Sequence, residues 1–348
     1  MNATAASTAP VADPTGYDKL AQAAKIDFAQ ASTMALHEAM EQDDSVLLFG
    51  EDLADPEGGG VFKISKGFST KFGDARVRST PISEQAIIGA AVGAAIAGMK
   101  PVAEIMLMNF VTVAMDQIVN HAAKIRYMSG GQTKCPIVIR TSTGAGAGTG
   151  GQHSDMLEAW FAHTAGMKVV VASNPADAKG LLLSAVLDEE DPVLFIENTR
   201  TYRTKGAAPT PGLRIPLGKA AIVREGTDVS VIGYGRPLMD SLMVAEQLAE
   251  QGVSVEVVDL RTVAPFDRET VLNSVAKTGR AVIVHEAVRD FGVGAEIAAV
   301  IQEELFGQVK APIRRVASKF APVPYSKPLE NAFLWTQDEI AAAIRSTL

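Results

Sequence analysis

Cysteine is nearly absent. Cys135 is the only one in 348 residues, so no internal disulfide can form. It lies beside the apolar run Pro136-Ile137-Val138-Ile139, the setting of a buried, inert thiol rather than a nucleophile. The chain therefore suits a reducing, cytoplasmic compartment. Histidine is sparse too: His37, His121, His153, His163 and His285 contain no i, i+4 pair and no cysteine neighbour, which leaves no zinc-site spacing. There is no basic block. With 32 Lys and Arg against 40 Asp and Glu the net charge is -8, so neither nucleic acid nor an anionic membrane is expected as a partner. Nor is any hydrophobic run long enough to cross a bilayer, which takes about 20 residues. The most apolar stretch, Ala86 to Met99, stops at Lys100-Pro101 and reads as a buried helix. Residues 1–25, rich in Ala, Thr and Pro, lack the basic start and apolar centre of a secretory signal and read as a loose arm.

What remains is apolar and regular. A hydrophobic content of 47% can fill large cores, and the length favours two or three domains. From residue 26 to about 202, helical stretches such as 26–42, 83–99 and 111–128 alternate with short apolar runs such as Val102 to Leu107, Ile137 to Thr141 and Val193 to Glu197. Apolar strands separated by helices imply a mostly parallel sheet covered on both faces. Residues 203–218, with Gly206-Ala207-Ala208-Pro209-Thr210-Pro211-Gly212 at their centre, have no apolar period and read as a linker. Residues 219–348 resume the alternation, giving a second, smaller α/β unit. The expected fold class is thus α/β, with two doubly wound domains.

Two glycine runs invite a dinucleotide-binding reading. Gly146-Ala147-Gly148-Thr149-Gly150-Gly151 matches G-x-G-x-x-G after a strand, but no acid ends the next strand and Gln152 to Asp155 delay the helix that should receive the pyrophosphate. Gly233-Tyr234-Gly235 has the acid, Asp259, but carries Leu238 where the third glycine belongs. Neither is followed by a Walker lysine.

Glu84 in Thr80-Pro81-Ile82-Ser83-Glu84 is the acid of most interest. With Thr80 as N-cap and Pro81 at the first helical position, Glu84 falls in a first helical turn, where the macrodipole alone accounts for an acid. The residues that follow, Ala86 to Ala97, offer no polar face. A helix apolar all round is buried, which puts Glu84 at the mouth of a core.

These residues also carry a resemblance. Gly50-Glu51-Asp52, Gly59-Gly60-Val61-Phe62, Thr80-Pro81-Ile82-Ser83-Glu84, Pro101-Val102-Ala103-Glu104-Ile105, Asp116-Gln117-Ile118, Ser129-Gly130-Gly131, His153-Ser154, Asp259-Leu260-Arg261-Thr262 and His285-Glu286 stand in the order and spacing of E1 β subunits of thiamin-diphosphate-dependent 2-oxo acid dehydrogenases. The group includes the pyruvate, branched-chain and acetoin enzymes, and the resemblance spans nearly everything after residue 25. It implies a transketolase-type pyrimidine-binding domain followed by a transketolase C-terminal-like domain that supports assembly. It also implies that Glu84 hydrogen-bonds the aminopyrimidine of thiamin diphosphate, that Phe110 packs on that ring, and that Glu51 and Ile82 line the pocket. His153 falls where a histidine reaches the reacting carbon, for proton management or for acyl transfer to a lipoyl group. The Gly-Asp-Gly motif that holds Mg²⁺ and diphosphate in this superfamily is missing, Gly73-Asp74-Ala75 being the only Gly-Asp. The resemblance therefore implies an α subunit that supplies the other half-site in an α2β2 heterotetramer, with a lipoyl acyltransferase E2 as further partner. Some relatives imply a structural K⁺. The competing readings are the pyrimidine-binding half of a split transketolase-like transferase and a directly NAD-binding dehydrogenase.

Overall fold

The computed structural model describes residues 13–348. Its first sheet has seven strands, in the order Thr262–Ala264, Lys168–Val171, Val193–Asn198, Val138–Thr143, Lys100–Leu107, Val46–Glu51 and Val77–Thr80. All neighbours are parallel except Thr262–Ala264, which runs antiparallel at one edge. The central strands Val138–Thr143 and Val193–Asn198 are buried along their whole length, as expected of a parallel sheet covered on both faces. On one face lie the helices Phe28–Gln42 and Pro175–Leu187. The first starts at a capping box in which Asp27 and Gln30 exchange side-chain-to-backbone bonds of 2.9 Å, satisfying two helix-end donors reciprocally.

The second sheet orders Arg314–Ser318, Ala281–Val288, Val229–Gly233, Val255–Asp259 and Ala221–Arg224, the last antiparallel. The helices Gly235–Ala249 and Gln337–Arg345 share one core with it, while Arg268–Thr278 and Val293–Glu304 contribute to another. That second core is continuous with the first domain, joining Ile88, Ile139 and Phe161 to Ile232, Ile283 and Ile297. Polar bonds cross the same junction: Tyr234 donates to Glu158 (2.6 Å), the Gly235 N–H to Ser173 (2.8 Å), and Arg261 pairs with Asp177 (2.8 Å).

Two segments are more fixed than the sequence implied. Residues 1–12 of the expected arm lie outside the described residues, but Tyr17–Ala21 is a helix, and Tyr17 stacks on the buried His37 and donates to Glu38. Within the expected linker, Lys205–Ala207 pairs with Lys25–Asp27, and Glu38 and Lys179 hold Gly212 and Thr210. A backbone donor and a backbone acceptor that a free linker would give to water are taken by buried side chains. The expected helix over 111–128 breaks into Met108–Val111, a 3₁₀ turn Thr112–Ala114, a π turn Gln117–Ala122 and Ile125–Met128. Val111-Thr112-Val113 is a β-branched run with poor helix propensity, and Thr112 bonds back to the Asn109 carbonyl (2.6 Å). Among the described residues no helix is long and apolar enough to cross a membrane.

Candidate active site

Strand order assembles the site. Val138–Thr143, Lys100–Leu107, Val46–Glu51 and Val77–Thr80 are consecutive neighbours in the first sheet and run parallel. The segments leaving their C-terminal ends therefore emerge along one edge. They carry, in that order, the glycine loop and His153, Asn109-Phe110, Glu51, and Pro81 to Glu84. The C-terminal edge of a parallel sheet is where such folds bind ligands.

Glu84 is the first residue of the helix Glu84–Ile96. This corrects the expected cap: Thr80 ends a strand with its hydroxyl unbonded, and Ser83 is the N-cap without a side-chain capping bond, its hydroxyl donating to the Pro81 carbonyl instead (3.2 Å). The Glu51 carboxyl, on the neighbouring strand, lies near the Ser83 backbone N–H at this helix end. Burial raises the Glu51 carboxyl above its ordinary pKa, and the charges of Glu84 and Asp52 push the same way. Glu84 is 9% exposed and lines an open concavity of roughly 690 Å³ together with Ile82, Val113 and Gln117. Ile82 is 83% exposed, which places it on the rim.

The helix behind Glu84 is not buried all round. Ile87, Ile88, Ala91, Val92 and Ala95 face the core, whereas Ala86, Ala90, Gly93, Ile96 and Ala97 are exposed. An apolar, small-residue face of this kind allows close approach of another backbone. Among the described residues nothing covers it.

Phe110 and His153 form the second half of the group. Their rings meet edge to face, with centroids 5.3 Å apart and planes at 77°, a favoured aromatic geometry. The His153 Nδ1 is buried without a hydrogen-bond partner. Asn109, which sequence reasoning did not single out, fixes the segment around His153: its amide donates to the Gly151 carbonyl and to Asp155 (2.8 Å each) and accepts from the Asp155 N–H (3.1 Å). Burial raises the Asp155 carboxyl above its ordinary pKa, opposed by the Asn109 bond. Their separation of more than 40 positions along the chain hides this contact from any local pattern.

Neither glycine run has the geometry of a dinucleotide site. No helix follows Gly151 until Glu158, and the Gly146 and Gly148 N–H groups are already taken by Glu330 (2.6 and 3.0 Å). Gly235 is buried, and a Cβ there would press on Val171 of the first domain. The remaining histidines stay outside the group: His121 makes an exposed pair with Asp116 (3.7 Å), His163 is exposed, and His285 is buried against Tyr234. Cys135 is buried, and desolvation, with the charge of Asp191 adding to it, pushes its thiol up to about 12, so it is not a nucleophile.

Residues 24–205 match the family model "Transketolase, pyrimidine binding domain" and residues 218–340 match "Transketolase, C-terminal domain". Along 334 residues the chain is 43% identical to the acetoin:2,6-dichlorophenolindophenol oxidoreductase subunit beta of Cupriavidus necator, covering 94% of this chain and 98% of that one. It is 41% identical over 326 residues to the pyruvate dehydrogenase E1 component subunit beta of Staphylococcus epidermidis, covering 93% and 99%. The chain belongs to the E1 β subunit family of the 2-oxo acid and acetoin dehydrogenases. Among solved structures it resembles a split-gene transketolase described as an inactive β4 tetramer, with a TM-score of 0.76 and 22% identity over 93% of this chain and 98% of that one; this likeness speaks to the fold alone. Membership in this E1 β family makes the chain part of a thiamin-diphosphate-dependent enzyme.

Proposed function

We propose that this chain, joined to an α subunit, decarboxylates a 2-oxo acid or cleaves acetoin and passes the acyl group to the lipoyl group of an E2 partner. When bound, thiamin diphosphate supplies a nucleophilic carbon and an electron sink. Glu84 hydrogen-bonds the aminopyrimidine and biases its protonation, a role typically worth about 10²–10⁴ in rate. Phe110 packs on the ring, while Glu51 and Ile82 line the pocket. His153, with an unpartnered Nδ1, holds or moves a proton where the acyl group is formed or handed on.

The observation that carries this reading is the alignment of Glu51, Glu84, Phe110 and His153 along one sheet edge, beside a helix face that the described residues leave open. A half-site next to an uncovered apolar face fits an active site completed by another subunit. Mg²⁺ and the diphosphate are assigned to the α chain, because the Gly-Asp-Gly motif is missing here. We place the complex, an α2β2 heterotetramer, in the cytoplasm; the reading as a directly NAD-binding dehydrogenase is disfavoured by the occupied loop amides.

The test is to co-express the chain with its α partner and assay pyruvate, branched 2-oxo acids and acetoin with an artificial electron acceptor. Glu84→Gln is expected to bind thiamin diphosphate yet lose at least about 10²-fold in kcat. His153→Ala is expected to bind it and turn over poorly. Wild-type turnover in Glu84→Gln refutes the assignment of Glu84.

A further inference from the structure

The loop Gly144 to Gly151 has little structure of its own. Gly144, Gly146, Gly148 and Gly150 all adopt positive φ (131°, 121°, 73° and 74°), and a glycine-rich segment pays the highest entropic cost for a single conformation. Something outside the loop must hold it.

The second domain does so with two buried carboxylates. Glu330, fully buried, accepts from the Gly146 N–H (2.6 Å) and the Gly148 N–H (3.0 Å) through one oxygen, and from Gly148 again through the other (3.2 Å). Successive N–H groups converging on one anion form a nest, here filled by a side chain of the protein. Glu286, also buried, accepts from the Ala145 N–H (2.9 Å) and is steadied by Asn198 (2.6 Å). Lys327 donates to the Gly146 carbonyl (2.6 Å), and the Tyr325 ring leaves no room for a side chain at Gly150. At the far end Asn109, next to Phe110, holds Gly151 and Asp155. His153 thus lies on a short tether between an anchor in each domain. Burial raises the pKa of the Glu330 carboxyl, but the Gly146 and Gly148 N–H bonds together with Lys327 outweigh it and lower the pKa below its ordinary value.

We propose that Glu330 and Glu286 are positioning residues for His153: by clamping the loop amides, the C-terminal domain sets where the imidazole stands relative to Phe110 and the reacting centre. This rests on the reading of His153 given above. It assigns the C-terminal domain a share in turnover, besides assembly.

The experiment uses the assembled complex with thiamin diphosphate bound and compares kcat, KM and hydrogen exchange of the 144–153 segment. Glu330→Gln keeps the shape and one acceptor oxygen but removes the charge and sets an NH2 against the Gly148 N–H and the Lys327 ammonium on the other side. It is expected to lower kcat by on the order of tenfold, as misplacement by a fraction of an ångström does, with KM unchanged and faster exchange in the loop. Lys327→Gln, at an exposed position that cannot unfold the domain, is expected to give a smaller loss of the same kind. Both effects should vanish in a His153→Ala background, since residues acting through one group are not additive. Wild-type kcat in both variants, or equal losses with and without His153, overturns the clamp. Full activity of His153→Ala alone overturns instead the assignment of His153, so the two failures are told apart.

Discussion

Glu158 links the two domains, and its ionisation should weaken the link. The side chain is fully buried, accepts from Tyr234 across the junction at 2.6 Å, and leaves its second oxygen without a partner. Burial, with the charge of Glu286 adding to it and the Tyr234 bond opposing, raises its pKa from 4.5 to about 7. At about 1.4 kcal/mol per pH unit, this is a penalty of roughly 3 kcal/mol on the folded state once the group is ionised. The sign follows from linkage. The folded pKa lies above the unfolded one, so stability is fully present below pH ~4.5, declines above it, and has lost this contribution once the pH passes through about 7. Glu158→Gln keeps an acceptor for Tyr234 and cannot ionise. It should match the parent chain near pH 4.5 and exceed it by about 3 kcal/mol at pH 8. Urea unfolding followed by tryptophan fluorescence reads this directly, because Trp160 lies two residues away in the same helix. A stability difference between the two proteins that does not change with pH would refute the reasoning. So would a difference that grows towards acid.

Two further outcomes follow from the core and the surface. Arg140 sits between Glu104 and Glu197 on adjacent strands, all three buried, and Tyr202 and Ser32 also donate to the Glu197 carboxylate. Arg140→Met should destabilise by about 3–5 kcal/mol because it leaves two buried carboxylates without their cation; Glu104→Gln should cost less, about 1–3 kcal/mol, because the amide oxygen can still accept from Arg140 and Glu197 still pairs with it, and chemical denaturation at pH 7 orders the two. Gly93 is exposed with open space beyond it, so Gly93→Leu should leave the isolated chain folded, and up to about 1 kcal/mol more stable through helix propensity, while blocking assembly with the α subunit. Wild-type assembly by size-exclusion chromatography would show that this face is not the contact.

How much of this could be read from the chain varies with the distance over which each feature is decided. Parallel sheets, two α/β units and a helix behind Glu84 are visible because strand and helix periods involve residues a few positions apart. The strands at Val77–Thr80, Thr262–Ala264 and Arg314–Ser318 escape such a reading because they are short edge or near-edge pieces without a long apolar run. The break in the helix over 111–128 has a local sign, the β-branched triplet, that is decisive only alongside the Asn109 carbonyl it bonds. Asn109 and Glu330 carry no local signal, and Glu286 stands only inside the family match His285-Glu286, with no role attached.

The sequence alone determined the apolar alternation, the lone inert thiol, and Glu84 at the start of a small-residue helix, since each depends on the chemistry of neighbours along the chain. The tertiary structure decided that Glu51, Glu84, Phe110 and His153 share one edge, because strand order is a long-range choice made by packing. It also decided that a helix apolar on every side keeps one face open. A hydrophobic pattern states that a surface will be covered, and only the folded chain shows which part it covers itself.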